Sequence, residues 1–413
     1  MTNSSNKTKI SFTKYEVFII AILSFLQFTV VLDFMVLSPL GAILLDDLDI
    51  ETSQFGLVVS AYAFSAGASG LLAAGFADKF DRKKLLLFFY TGFVIGTISC
   101  ALAPDYYFLL IARIVTGIFG GVISAIGFAI ITDLFKMEVR GRVMGFSQMA
   151  FAASQVLGIP IGLLLANSYG WHSPFWMISA LTIVAGVVIF IYMKPITEHL
   201  KIKSERNPFE HLWKTLSKSE YLRGFLATSL LATGGFMMMP FGSAYSTNNL
   251  NIALDDLPIM YGITGICTMI VGPLIGRLSD KAGKYNVFVM GSFLSIVMVA
   301  IYTNIGVSPL WLVIILNILL FVGISSRMIP SSALMTAVPK PQDRGAFMSI
   351  NSSIQQISGG IASAIAGMII SQAPNGKLEH YDTLGYVVIG SMSVAIYLFY
   401  ILNKQIEKNS AHS

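Results

Sequence analysis

Asp33 is the one acid deep within an apolar run of this 413-residue sequence, and Arg113 and Arg327 are the cations placed in the same way. A carboxylate at bilayer depth is costly enough to mark a functional position, and a proton site is the first chemistry to consider for Asp33. A change in solvation or in a neighbouring charge would then drive proton uptake and release. The competing reading is a permanent ion pair with Arg113 that ties two helices together. Around Arg113, residues Gly117, Gly121 and Ser124 fall on one helical stripe, so small side chains permit close helix approach beside one long cation. Arg327 does not duplicate Arg113: it lies 17 residues before Arg344 (344 − 327), whereas Arg113 lies 27 before Arg140 (140 − 113). Facing a cavity, Arg327 favours an anionic or polyhydroxylated ligand; low in its helix, it snorkels to the membrane surface or joins a gate.

Seven further polar side chains interrupt apolar runs and are candidates for lining a cavity: Gln27, Thr29, Gln148, Gln155, Asn317, Asn351 and Gln355. At 100° per residue Thr29 shares a helix face with Asp33, while Gln27 does not. Pro39 is placed to bend the end of the first run. The run Met237-Met-Met-Pro-Phe241 reads either as an adaptable apolar wall or as a lipid-facing stretch.

The elements that must position these residues are set by composition. Hydrophobic residues make up 55% of the chain and charged residues 12%, with a mean hydropathy of +0.72. That leaves too little polar surface for a soluble globule of this length. Taking about 20 apolar residues per crossing, the sequence divides into twelve spans, near 16–44, 53–76, 85–104, 106–133, 143–167, 172–193, 223–247, 256–278, 286–304, 309–336, 345–371 and 383–403. Runs this long and Gly-rich suit helices rather than alternating barrel strands. The fold class expected is therefore an all-α integral membrane protein. The first run is too long for a signal peptide and is expected to be retained as helix 1. Cys100 and Cys267 lie in apolar runs and read as small core residues. A net charge of +5 does not point to nucleic acid, because the bases flank spans rather than forming a stripe. No phosphate loop or zinc spacing is present, and His172, His199, His211, His380 and His412 all lie in loops or tails. An enzyme, a metal site and a cofactor are not expected.

With both termini placed in the cytoplasm, twenty-four of the 27 Lys and Arg residues fall inside, and the outer loops carry Asp46, Asp47, Asp49, Glu51, Asp105, Asp255 and Asp256. The expected location is a cell (inner) membrane, crossed many times, with lipid headgroups as counter-charge. The longest polar stretch separates an N-terminal bundle, 1–193, from a C-terminal bundle, 223–413. In that linker, 194–222, Phe209, Leu212, Trp213 and Leu216 recur at helical spacing and predict an amphipathic surface helix; a loose tether is the alternative. The clusters Asp78-Lys-Phe-Asp-Arg-Lys-Lys84 and Asp280-Lys-Ala-Gly-Lys284 lie 202 positions apart (280 − 78), and Arg140 and Arg344 lie 204 apart. This near-constant offset indicates a duplicated half, an arrangement typical of secondary transporters.

These motifs resemble the major facilitator superfamily, whose members have twelve helices in two pseudo-symmetric six-helix bundles around a central cavity. Gly276-Arg-Leu-Ser-Asp280-Lys-Ala-Gly283-Lys284 fits the family's signature between helices 2 and 3 of a half. The first copy keeps Asp78, Arg82 and Lys83 but has Ala74 and Asp81 for the two glycines. Arg113, Gly117 and Gly121 are similar to the helix-4 signature, and the resemblance implies a part for Arg113 in proton coupling. Gly145, Ser154, Gly158 and Pro160 form a degenerate helix-5 antiporter motif, and Gly158-Ile-Pro-Ile-Gly162 with Gly170-Trp-His-Ser-Pro-Phe-Trp176 looks like the drug/proton antiporter and sugar-efflux branch. A cytoplasmic gate is expected from Asp78, Arg82, Asp133, Asp280, Lys281 and Arg344: Asp78 would cap helix 11, which begins near Arg344, and Arg82 would pair with Asp133 only when the halves close on that side. The function expected is proton-coupled efflux of a small organic molecule by a monomer, with Asp33 accepting the proton. A sugar or lipid facilitator or symporter, and a non-transporting receptor or assembly factor, are the rival readings.

Overall fold

The structure, a computed structural model, describes residues 12–73, 76–136, 139–140, 143–144, 146, 153–201, 208–340 and 343–410. The first half contains α1 (Lys14–Val36), α2 (Gly41–Asp47), α3 (Thr52–Ala73), α4 (Arg82–Ala101), α5 (Tyr106–Leu134), α6 (Ile159–Tyr169) and α7 (Ser173–Tyr192). A short helix α8 (Pro208–Leu216) follows. The second half contains α9 (Ser219–Met238), α10 (Gly242–Asn248), α11 (Leu257–Ala282), α12 (Lys284–Tyr302), α13 (Leu310–Ala337), α14 (Arg344–Ile369) and α15 (Tyr381–Ser410). A two-residue hairpin, β1 (Ser371–Gln372) and β2 (Leu378–Glu379), joins the last two helices.

Among the described residues ten helices are long and apolar enough to cross a membrane. The two remaining predicted spans are accounted for differently. α14 has 26 residues but carries a Ser, Asn and Gln face that lowers its hydropathy. Span five is described only from Ala153 onward, where a π-helical stretch, Ser154–Gly158, leads into α6. The first span is a correction: it breaks into α1 and α2 around Pro39, and the seventh breaks likewise into α9 and α10 around Pro240.

Local sequence explains the helix starts. Thr13 and Glu16 form a reciprocal capping box, Asp105 Oδ1 accepts from Phe108 N at 2.9 Å, and Asp81 Oδ1 accepts from Lys83 N at 2.7 Å. The two halves turn differently at their loop motifs. Gly283 sits at φ +91°, which a side chain rarely adopts, whereas its counterpart Asp81 lies at φ −55° and caps α4. The lost glycine of the first motif is thus replaced by a cap.

Large apolar side chains such as Phe190, Met290 and Phe293 are exposed around the outside, as a lipid-facing surface requires. One end of the molecule carries the basic loops together with the start of α1 and the last turns of α15, and the other carries the acidic loops. At the acidic end a single apolar core joins the halves, with Leu40, Leu44 and Phe55 against Phe241, Tyr245 and Leu257. Toward the basic end each half has its own core, one around Leu86, Ile130 and Met193, the other around Phe225, Met335 and Phe347. α3 and α14 pack backbone to backbone: a Cβ on Gly56 would lie 2.8 Å from Ser363 O and 3.2 Å from Gly367 Cα.

Candidate functional site

Asp33 on α1 and Arg113 on α5 are both fully buried and meet at 2.8 Å, Oδ2 to Nη1. Counting seven residues from the start of α5 places the pair about 10 Å in from the acidic end. Thr97 on α4 completes the contact, with its Oγ1 3.2 Å from Asp33 Oδ1 and 3.0 Å from Phe93 O. A hydroxyl has one proton to give. It can donate to an ionised Asp33, or donate to Phe93 O and accept from a protonated Asp33, so this site accommodates the carboxyl in either state. Arg113 also donates to Asp33 O at 3.2 Å and lies 4.5 Å above the Tyr62 ring, a cation–π contact in a desolvated site. Its Nε and Nη2 have no hydrogen-bond partner among the described residues.

Close helix approach makes this reach possible. A Cβ on Gly117 would lie 2.5 Å from Tyr62 O, and one on Gly121 2.3 Å from Ala66 O, so α5 presses directly on α3. Tyr62 stacks in turn near Phe34, at 5.2 Å, and Phe34 lies 5.8 Å from Phe236 of the other half. One aromatic chain therefore runs from the ion pair to the opposite bundle.

Comparison with known proteins gives this geometry its family. The model for the Major Facilitator Superfamily matches residues 23–362 and again 224–412. The chain belongs to the major facilitator superfamily. "Uncharacterized MFS-type transporter YceJ" of Bacillus subtilis (strain 168) is 27% identical over 346 residues, 83% of this chain and 87% of the relative. "Multidrug resistance protein 3" of the same organism is 33% identical over 150 residues, 36% of this chain and 29% of the relative. A mutant of nucleoside transporter NupG shares the fold, with a TM-score of 0.72 at 14% identity over 93% of this chain and 99% of that one.

Within this superfamily member the expected gate residues separate. Arg82 Nε meets Asp133 Oδ2 at 2.8 Å and Arg82 Nη1 reaches Ala77 O at 3.0 Å. Both partners belong to the first half, so the expectation that this pair forms only when the halves close is corrected: it is present while the halves join at the acidic end. His199 also reaches this cluster, 3.5 Å from Asp133. Asp280, Lys281 and Arg344 are exposed, and Asp280 and Lys281 lie in the last turn of α11. The side chain of Asp78 lies outside the described residues. The residue that precedes α14 is Asp343, and it accepts from Lys218 and, at 2.8 Å, from Tyr221 Oη. That bond holds the Lys218 ammonium above the usual lysine range. Arg82→Lys is expected to lower stability by about 1.5–3 kcal/mol, because an ammonium lacks the planar fork by which Nε and Nη1 meet the two acceptors from separate nitrogens. Thermal unfolding of the purified variant checks this, and a wild-type melting temperature would refute it.

The expected cavity residues are scattered. Thr29 is fully buried and donates to Leu26 O, Gln27 accepts from Ser124 at 2.9 Å, and Asn317 donates to Val313 O. Asn351 accepts from Thr228 at 2.6 Å, and Gln355 is half-buried. Gln148 and the side chain of Gln155 lie outside the described residues. Arg327 is 2% exposed, which corrects the snorkelling alternative. Met237 and Phe241 are buried in the shared core rather than facing lipid, and Ser38 donates to Met239 O across the halves. The linker forms a helix, α8, with Leu212 and Leu216 packed on the second half and Trp213 exposed; the side chain of Phe209 lies outside the described residues. Sequence reasoning missed Thr97, Tyr62, Lys218, Tyr221 and Asp343 as participants. Only Asp343 had a signal, its place in the repeated motif beside Arg344.

Proposed function

We propose that this protein is a monomeric secondary transporter of a cell (inner) membrane that expels a small organic molecule in exchange for protons by alternating access. The carrying observation is the Asp33–Arg113 pair, a fully buried charge pair with a hydroxyl placed to serve both protonation states of the acid. Protonation of Asp33 removes the counter-charge of Arg113, and an unpaired buried cation costs about 3–5 kcal/mol. That cost is large enough to change which of two conformations is favoured. The aromatic chain from Tyr62 through Phe34 to Phe236 gives the change a physical route to the other half.

The distribution of Lys and Arg supports a cytoplasmic basic end with both termini inside. The shared core at the acidic end then corresponds to a state sealed outside, with the bundles 1–193 and 223–413 moving about the linker 194–222. Ser38, Thr52 and Ser60 hydrogen-bond across the halves and support that seal. The test is transport into proteoliposomes of a panel of small organic molecules under an imposed pH gradient. Accumulation that collapses with a protonophore is expected. Accumulation that survives the protonophore, or none for any molecule with reconstituted protein, overturns the proposal.

A further inference from the structure

We infer that Arg327 is the binding point for a carboxylate on the transported molecule, which makes organic acids the substrate class. The inference rests on the transport reading above. Arg327 is 2% exposed, and its Nε and Nη2 have no hydrogen-bond partner among the described residues. These two N–H groups form one edge of the guanidinium, the edge that takes a carboxylate through two parallel bonds. The membrane helices of the second half supply no acid there: residues 221–254, 257–279, 284–342, 344–378 and 383–406 contain neither Asp nor Glu.

The duplicated architecture shows where the missing acid would be. Both broken helices carry Pro-x-Gly at the break, Pro39-Leu-Gly41 and Pro240-Phe-Gly242. Six residues before each proline stand Asp33 (39 − 6) and Gly234 (240 − 6). Asp33 supplies the carboxylate for Arg113; Gly234 supplies none, and a Cβ built on it would lie 3.4 Å from Arg327 Nη1. The guanidinium therefore lies, through Nη1, beside the position where the other half holds its acid, with its Nε and Nη2 edge left for a ligand.

The register of α13 gives a second line. The residues preceding α5 and α13, Asp105 and Pro309, are 204 apart (309 − 105), and the same offset carries Ile123 onto Arg327 (123 + 204). Ile123 lines a cleft between α1 and α5 together with Gln27, Ser124 and Gly127. Arg327 stands at the corresponding wall between α9 and α13, with Met392 beside Gly234. An unpaired guanidinium at bilayer depth is strongly unfavourable, so an anion that reaches Arg327 in the course of the transport cycle binds to a charge that lacks compensation.

The test uses full-length protein in detergent and reads melting temperature against benzoate and 1-naphthoate, with benzamide and 1-naphthamide as matched neutral compounds at constant ionic strength. The acids are expected to raise the melting temperature by about 2 °C or more and the amides not. The rise should vanish in Arg327→Gln. Gly234→Asp should raise the melting temperature without ligand and abolish the response to acids, which decides the matter if Arg327→Gln does not fold. Equal stabilisation by the amides, no stabilisation by either acid, or an acid response retained in either variant overturns the inference. No gradient is present in this assay, so its failure leaves proton-driven transport standing, and failure of proton coupling leaves anion binding standing.

Discussion

Asp33→Asn is expected to abolish proton-driven accumulation and at the same time to destabilise the protein by about 3–5 kcal/mol. The amide keeps the size of the side chain and can still meet Thr97 Oγ1, so packing is preserved. What changes is charge: Arg113, fully buried and with two nitrogens that lack hydrogen-bond partners among the described residues, loses the carboxylate it pairs with. Removing both members, Asp33→Leu with Arg113→Met, should recover most of that stability, because two well-packed apolar side chains substitute for a buried pair at little cost. It should not recover accumulation. The comparison separates a structural tie from a coupling site, since a tie predicts that the double variant regains function along with stability. Thermal unfolding and gradient-driven accumulation, measured on the same preparations, provide both readouts. A double variant that accumulates substrate against a gradient would remove Asp33 from the mechanism.

Gly56→Leu is expected to open the acidic end. A side chain there meets Ser363 O and the Gly367 backbone, neither of which can rotate away. Overpacking of this kind costs about 1–3 kcal/mol, which changes the ratio of two conformations by about fivefold to more than a hundredfold. On the proposed alternating-access cycle the state open at the acidic end separates α3 from α14 at this position, so the cost falls on the sealed state. Spin labels at residues 48 and 251, on loops of the two halves at the acidic end, should report a longer distance in the variant. Gly235→Leu is the control: nothing lies within 4 Å of its Cβ position, and the distance should match wild type. An unchanged distribution in Gly56→Leu would mean that the α3–α14 contact does not hold the seal.

The charged part of the site was legible in the sequence and the neutral part was not. Asp33, Arg113 and Arg327 stand out because a charge in an apolar run has few cheap explanations. Thr97 and Tyr62 do not, since hydroxyls and rings are ordinary in spans. The cavity residues show the same limit from the other side. Thr29 and Asn317 satisfy themselves on carbonyls of their own helices, Leu26 O and Val313 O, so their polarity says nothing about which way they face. The break near Pro39 could be anticipated because proline removes a backbone donor. The use of Asp81 as a cap was hidden because a missing glycine reads as a loss until the backbone angle is known. Arg82 and Asp133 were rightly paired as partners, but sequence spacing carries no information on whether such a pair spans two moving bodies or lies within one.

The polarity of α14 also bears on how the protein is made. A 26-residue helix that falls short of the hydropathy its neighbours reach gains little by partitioning into lipid alone. Two of its serines and its asparagine find partners on α9, through Ser363 to Phe236 O, Ser358 to Ser229 and Asn351 to Thr228, and Gly360 and Gly367 meet α3. Those helices are synthesised earlier. Membrane integration of this segment therefore depends on a surface assembled before it emerges, and the contact that closes the transporter also serves as the template on which its last helical pair is inserted.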